Sequence, residues 1–361
     1  MMTDQDYMHR AYHLALKAKG QTSPNPMVGS VIVRGEHILS EGWHRRCGDD
    51  HAEIAALKKL KGSAAGTRMF VTLEPCFHYG RTSPCVDRII QSGVNEVIIG
   101  MKDPNPKTNG KSIAKLKRAG IKIKVGLLQS ELKEMNEVFI KYIKTKMPFV
   151  AAKCAQTLDG KIAAVNGRSQ WITSQKARQF ARGIRNEFDA ILVGVNTVLK
   201  DDPGLNPGKK SKKLIKIVLD SDLKISPNAR LFSKTAPNQC IIATTDKAPQ
   251  RKIMALRGQG ARVMICRTRS GRIDMPWLFK ELANMEITSV LLEGGAHIIG
   301  SALRAKLVDK MYFYIAPKIF GDQNALSSIV GLRVQNVNKA IKLKKVSIKK
   351  LGEDVLVTGY V

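Results

Sequence analysis

No run of about 18 apolar residues that could span a bilayer occurs in the sequence. The segment from Met1 to Gly20 scatters charges among its apolar positions, so it forms no signal-peptide core, and the expected compartment is the cytoplasm. Aromatic residues make up only 6% of the chain, too few to interleave with cations along a single-stranded nucleic-acid surface. Acidic residues are also scarce: 30 Asp+Glu face 60 Lys+Arg, a formal charge of +30 over 361 residues. That excess suits phosphorylated small molecules or polyanions. It is nevertheless spread along the chain, at Lys58, Lys59 and Lys61, from Lys209 to Lys213 and from Lys342 to Lys350, and reads as a basic solvated surface rather than a nucleic-acid site. Six cysteines in a chain this long, without a secretory signal, do not suggest a disulfide framework. Of these, Cys47, Cys154, Cys240 and Cys266 read as small, mostly buried apolar residues.

What is present is enough for two cores, since 361 residues with 43% hydrophobic content exceed one average domain. Apolar spacing predicts helices over Tyr7 to Lys19, Ala52 to Leu60, Val86 to Ser92 and Ser112 to Ala119, with strands at Val28 to Arg34, Met69 to Leu73, Glu96 to Gly100 and Lys122 to Val125. A further helix, Leu132 to Ile143, gives way to Lys-Thr-Lys-Met-Pro at Lys144 to Pro148, which places the boundary between domains 1–146 and 147–361. Beyond it, strands are predicted at Phe149 to Ala155, Ala190 to Gly194, Leu214 to Leu219, Gln239 to Ala243, Ala261 to Cys266, Ser289 to Leu292 and Met311 to Ala316. Helices fit Gln175 to Asn186, Pro276 to Met285 and His297 to Lys306, and a strand pair from Lys344 closes the chain. Both halves are therefore α/β. No Gly-x-Gly-x-x-Gly follows the first strand of the second half, which argues against a dinucleotide-binding Rossmann fold.

His51-Ala52-Glu53, Pro75-Cys76 and Cys85 offer three zinc ligands and one carboxylate that stays outside the set. Three protein ligands leave the fourth tetrahedral position for water, the mark of a catalytic zinc. Glu53 is placed to move the proton from that water to a ring nitrogen and on to departing ammonia. A His-x-Glu triplet alone is a weak signal, and a satisfied surface histidine near a helix start explains it better. The downstream cysteines make it specific. Residues 77 to 84 separate them, in place of the two residues of nucleoside deaminases, so that loop should project beside the metal.

The stretch Thr72-Leu73-Glu74-Pro75-Cys76-Phe77-His78-Tyr79-Gly80-Arg81-Thr82, with Pro24-Asn25-Pro26-Met27-Val28-Gly29 and His51-Ala52-Glu53, resembles the bifunctional riboflavin-biosynthesis deaminase-reductase family. The likeness extends over nearly the whole chain and implies a cytidine-deaminase-like α/β/α domain followed by a dihydrofolate-reductase-like α/β domain. It implies hydrolytic deamination of a diaminohydroxy-phosphoribosylamino-pyrimidine in the first, with Asn25, His44, Arg81 and Asn105 as substrate contacts. A forked donor such as Arg81 suits a phosphate, while Asn25 and Asn105, beside prolines, are equally suited to turns. Phe77 replaces the serine usual in the family and Ser83 the usual proline, which affects loop detail and not the ligands.

In the second half, Thr157-Leu158-Asp159-Gly160-Lys161, Ser169 to Ser174, Val195 to Pro203 and Glu293-Gly294-Gly295 resemble the family's reductase domain. This implies NADPH-dependent reduction of a ribosyl group to a ribityl chain. By that resemblance Ala155, Trp171, Thr197, Asp201, Ser221 and the run Gly295, Ala296, His297, Ile298, Ile299, Gly300 and Ser301 touch the cofactor. Ser169, Arg185, Leu205, Gly208 and Glu293 touch the substrate, and Lys153 polarises the ribose oxygen. Gly208 stands where an arginine is usual, and Lys209 or Lys210 is expected to replace its charge. Lys224, close after Ser221, is a second candidate for a cofactor phosphate. Two glycines between a strand and a helix also let a phosphate approach the backbone, although such a pair is often only a turn. Trp171 has a bland alternative as core, and Asp201-Asp202-Pro203 as a helix-ending turn. The implied partners are small phosphorylated pyrimidines and possible further copies of the chain, with no membrane and no nucleic acid. The rival reading is a nucleic-acid base deaminase whose basic second half binds RNA; the missing aromatic RNA-reading strand motif argues against it.

Overall fold

The computed structural model describes residues 2–77, 84–207, 214–233, 236 and 239–361. The chain divides into two compact units, Met1–Lys146 and Met147–Val361.

In chain order the first unit contains α1 (Asp4–Leu16), β1 (Gly29–Arg34), β2 (His37–Trp43), α2 (Ala52–Lys59), β3 (Arg68–Leu73) and α3 (Cys85–Ser92). It continues with β4 (Glu96–Met101), α4 (Lys111–Arg118), β5 (Lys122–Val125), α5 (Gln129–Met135) and α6 (Glu137–Thr145). Its sheet runs β2-β1-β3-β4-β5, with β1 antiparallel to both neighbours and β3, β4 and β5 parallel. Val31, Ile32, Phe70, Val71, Ile98 and Ile99 are fully buried, so these strands read as apolar runs rather than alternations. Strand β2 has no counterpart in the sequence reading, because His37, Ile38 and Leu39 are exposed and no period-two pattern marks it. The single helix expected over Leu132 to Ile143 is two. Its break, at Asn136, has a tertiary cause: the Asn136 amide accepts from Met27 N (2.8 Å) and donates to Met27 O (3.0 Å).

Gly42 lets α2 lie directly on β2. A Cβ there would stand 2.2 Å from the Ala52 carbonyl oxygen and 2.4 Å from Ala56 N, distances that no side chain tolerates. Gly42→Ala is therefore expected to cost about 1–3 kcal/mol by overpacking and to displace the helix that begins beside His51. Thermal denaturation of that variant, read against a distant Gly→Ala at exposed Gly183, checks it.

The second unit opens with β6 (Phe149–Thr157), β7 (Lys161–Ala163), α7 (Gln175–Ile184), β8 (Ala190–Gly194), α8 (Val195–Asp201), β9 (Ile215–Leu219) and β10 (Cys240–Thr244). Then come α9 (Gln250–Gly258), β11 (Arg262–Ile265), β12 (Thr268–Arg269), β13 (Arg272–Ile273), α10 (Met275–Asn284), β14 (Ser289–Glu293) and α11 (Ala296–Arg304). The chain closes through β15 (Lys310–Ala316), β16 (Leu326–Ser327), β17 (Lys344–Leu351) and β18 (Asp354–Tyr360). Nine strands form one sheet in the order β11-β10-β9-β8-β14-β6-β15-β18-β17. The seven from β11 to β15 are parallel and the last two antiparallel. Parallel strands with crossover helices end along one edge, and that edge is where α/β proteins place ligands. Helices α8 and α9 are additions to the sequence reading; α8 ends where Asp202 takes a left-handed φ of 37° before Pro203. Among the described residues no helix is long and apolar enough to cross a membrane.

Candidate functional site

In the first unit, His51 immediately precedes α2, Cys76 lies just beyond β3, and Cys85 opens α3. Glu74 fixes this corner. Its buried carboxylate accepts the backbone N–H groups of Asp103 (3.2 Å), Gly110 (2.9 Å) and Ile113 (3.3 Å), tying the end of β3 to the start of α4. His51 Nδ1 lies 3.1 Å from Cys85 Sγ and 3.5 Å from Cys76 Sγ, and the three ligand atoms fall within 4.8 Å of one another. Tetrahedral zinc, with bonds of about 2.0 Å to nitrogen and about 2.3 Å to sulfur, places its donors about 3.5 Å apart. The donor set and its spacing therefore fit zinc. The donating Cys85 thiol first, and His51 after it, lower the Cys76 thiol pKa against the opposing effect of burial, which favours the thiolate form that binds a metal.

Glu53, in the first turn of α2, is 3% exposed, and burial pushes its carboxyl up to about 7. That value suits a group that must both take and return a proton. His44 is also buried, which lowers its imidazole pKa. Its Nδ1 faces the Asp50 carbonyl at 3.1 Å and must donate there, leaving Nε2 to accept from Asn25 Nδ2 at 3.2 Å. The His44 and His51 rings stand edge to face, 5.3 Å between centroids. His44 thus stands against the zinc ligand His51 and holds Asn25 through its amide nitrogen. Asn105 behaves differently. Its side-chain oxygen accepts from Lys107 N (3.1 Å) and its N–H donates to Asp103 (2.9 Å), which is the turn chemistry its neighbouring prolines also predict. Arg81 and Ser83 lie outside the described residues. Phe77 packs on the core of this unit.

In the second unit a cleft of about 940 Å³ opens at the carboxyl ends of β6, β8 and β14. It is lined by Lys153, Ala155, Ser169, Trp171, Arg185 and Thr197. Asp201, Leu205, Glu293, Gly295, Ala296, His297 and Ile299 complete the expected residues found in its wall. Glu293 is its chemical centre. Arg185 forks onto its two oxygens, Nε to Oε1 and Nη2 to Oε2, both at 2.8 Å, and Lys153 Nζ stands 3.7 Å from Oε2. Burial alone would raise this carboxyl, but the Lys153 and Arg185 charges outweigh it and hold it down to about 2. Arg185 also donates to the Asn206 carbonyl (2.9 Å), so it supports a carboxylate and a loop before any phosphate arrives. Trp171 is 57% exposed, its ring covered on one face by the Arg178 guanidinium 4.2 Å away, so the reading of it as core is set aside. Gly294 and Gly295 take φ of 91° and 84°, and they lead into the N-terminus of α11, which suits an anionic group.

Four expected cofactor contacts do not line the cleft. Ser221 is outside the lining, and its backbone carbonyl accepts from the hydroxyls of Thr244 (3.2 Å) and Thr245 (2.9 Å). On α11, Ile298 packs on Gly194 and Gly295, and Gly300 faces the Val330 carbonyl, where a Cβ would stand 1.9 Å away. Ser301 lies farther along the same helix. A helix of 3.6 residues per turn presents one face and its first turn to a cleft, not seven consecutive residues. Lys224 pairs with Asp222 at 3.0 Å and is likewise outside the lining. Gly208, Lys209 and Lys210 lie outside the described residues.

The cleft also holds residues that the sequence reading passes over: Arg178, Arg182, Lys200, Asn206, Arg230 and Tyr314. The first two were signalled by spacing, because Arg178 and Arg182 on α7 and Arg185 at its C-cap recur at intervals of four and three residues. The other four come from separate segments and share no local pattern. Six cations against Asp201 and Glu293 give the cleft a positive field that favours phosphorylated ligands.

Comparison with known proteins agrees with both sites. Residues 1–101 match the cytidine and deoxycytidylate deaminase zinc-binding region, and residues 148–357 match the RibD C-terminal domain. The chain is 42% identical over 356 residues to the riboflavin biosynthesis protein RibD of Actinobacillus pleuropneumoniae, covering 98% of this chain and 94% of that protein. It is 39% identical to RibD of Aquifex aeolicus, covering 98% and 97%. Among solved structures, Acinetobacter baumannii RibD superposes with a TM-score of 0.88 at 30% identity, covering 99% and 98%. A diaminohydroxyphosphoribosylaminopyrimidine deaminase/5-amino-6-(5-phosphoribosylamino)uracil reductase from Thermotoga maritima superposes with a TM-score of 0.87 at 34% identity, covering 99% and 98%. These matches do not favour an RNA-binding second half. The chain belongs to the RibD family of riboflavin biosynthesis proteins, zinc-binding deaminases joined to a reductase.

Proposed function

We propose that residues 1–146 deaminate a diaminohydroxyphosphoribosylaminopyrimidine and that residues 147–361 reduce the ribosyl group of the resulting 5-amino-6-(5-phosphoribosylamino)uracil. The observation that carries the first half is the convergence of three soft ligands with a buried carboxylate that is not one of them. Zinc, when bound by His51, Cys76 and Cys85, supplies a water of lowered pKa. Glu53 takes one proton from the attacking water and delivers it to the ring nitrogen, then carries a second, from the hydroxyl added to the ring carbon, to the amine that leaves as ammonia. Asn25 and His44 orient the pyrimidine edge. In the cleft of the second unit, NADPH supplies hydride when bound, with Thr197, the Gly294-Gly295 turn and Trp171 as its walls. Arg185 and Lys153 hold Glu293 ionised and present their remaining N–H donors to the phosphorylated sugar, whose oxygen Lys153 polarises. Lys209 or Lys210 supplies the charge that Gly208 lacks, and Arg178, Arg182 and Arg230 in the cleft wall add to it. The +30 balance is then a surface property, and the enzyme works in the cytoplasm on small molecules rather than on nucleic acid.

Cys76→Ser tests the zinc assignment. The expected result is loss of zinc by elemental analysis and loss of ammonia release, with NADPH oxidation retained when the deaminated product is supplied directly. Full zinc content in that variant would remove Cys76 from the ligand set.

A further inference from the structure

Tyr314 has no role in the chemistry assigned to the cleft. It lies on β15, 1% exposed, and lines the cleft. Its hydroxyl is buried without a hydrogen-bond partner. A buried hydroxyl that bonds to nothing destabilises the fold that contains it, and such groups in native proteins call for a reason. The neighbouring Glu293 carboxylate does not serve, since it makes no hydrogen bond with this hydroxyl and is engaged by Arg185 and Lys153.

Strand register places this hydroxyl. Glu293 pairs with Lys153 across β14 and β6, and Tyr314 pairs with Ala155 across β6 and β15. Lys153 and Ala155 are two apart on one strand, so Glu293, Lys153, Ala155 and Tyr314 share one face of the sheet. In the strand order β8-β14-β6-β15, Thr197 follows β8 and Gly294-Gly295 follow β14, on one side of β6. Tyr314 stands on the other side. Burial and the Glu293 charge both push the phenol pKa up, which leaves the group a neutral hydrogen-bond donor at every working pH.

We infer that the Tyr314 hydroxyl donates a hydrogen bond to an oxygen of the bound phosphoribosylamino-pyrimidine, and so positions that substrate, not the nicotinamide cofactor, beside Glu293 and Lys153. The inference rests on the placement of reduction in this cleft.

The test is Tyr314→Phe in the full chain. The kcat/KM for the deaminated pyrimidine should fall about ten-fold, the scale of one hydrogen bond, with the Kd for NADPH unchanged. The melting temperature of the ligand-free variant should not fall, because the deleted hydroxyl bonds to nothing in the protein. An unchanged kcat/KM, a weakened NADPH affinity, or a lowered melting temperature would each overturn the inference. Arg185→Ala, measured in parallel, separates the two readings. If it impairs reduction while Tyr314→Phe does not, only the tyrosine is misassigned; if it too leaves reduction intact, the cleft reading fails and the inference with it.

Discussion

Glu53→Gln should lower the rate of ammonia release by about 10²–10⁴, the usual contribution of a positioned acid/base, while zinc content stays that of the parent. The amide has the shape of the carboxyl and cannot accept the proton. Because Glu53 is 3% exposed and desolvation is the leading influence on its carboxyl, removing the ionisable group leaves no buried charge behind and should not lower the melting temperature. Reduction should remain within about two-fold of the parent when its own substrate is supplied, since every residue placed in that reaction follows residue 147 and none is a metal ligand. Paired assays of ammonia release and NADPH oxidation measure this. Loss of both activities in a folded, zinc-loaded variant would replace two independent sites with one coupled system.

Arg185→Ala should be the most damaging single change in the second unit, for stability as well as for reduction. Glu293 is 7% exposed, and deletion of its forked partner leaves a buried carboxylate with Lys153 at 3.7 Å as its remaining cation. Breaking such a pair costs about 3–5 kcal/mol, and the loop anchored through Asn206 loosens as well. The sign of the pH dependence follows from the same pair. Glu293 falls from an ordinary value of 4.5 to about 2 in the folded chain, so its contribution is fully present above pH 4.5 and is lost as pH falls towards 2. In Arg185→Ala that contribution is already reduced, and its stability should change less between pH 5 and pH 3 than that of the parent. Denaturant melts at the two pH values decide this, and an equal acid dependence in both proteins would exclude the pair as its source. Deamination, assayed below the variant's melting range, should stay near the parent value.

The fold class and the metal ligands were legible in the chain itself for a physical reason. Buried parallel strands such as Ala190–Gly194 and Ser289–Glu293 must be continuous apolar runs, and zinc accepts few donor types, so His51, Cys76 and Cys85 stand out wherever the loop between the cysteines folds. What the sequence could not determine is what depends on meeting a distant segment. Strand β2 is a strand because β1 offers its open edge, not because of its own exposed residues. The helix over Leu132 to Ile143 breaks because Met27 captures the Asn136 amide. Arg185, read as a substrate contact, also holds Glu293 through its guanidinium, Ile298 and Gly300 were turned from the cleft by helical rotation and packing, and Tyr314 entered it through its register with Ala155. Local composition determines which segments must be buried and which side chains can bind a metal; the partner of each polar group is set only when the sheet closes, because a hydrogen bond is decided by distances that no single segment contains.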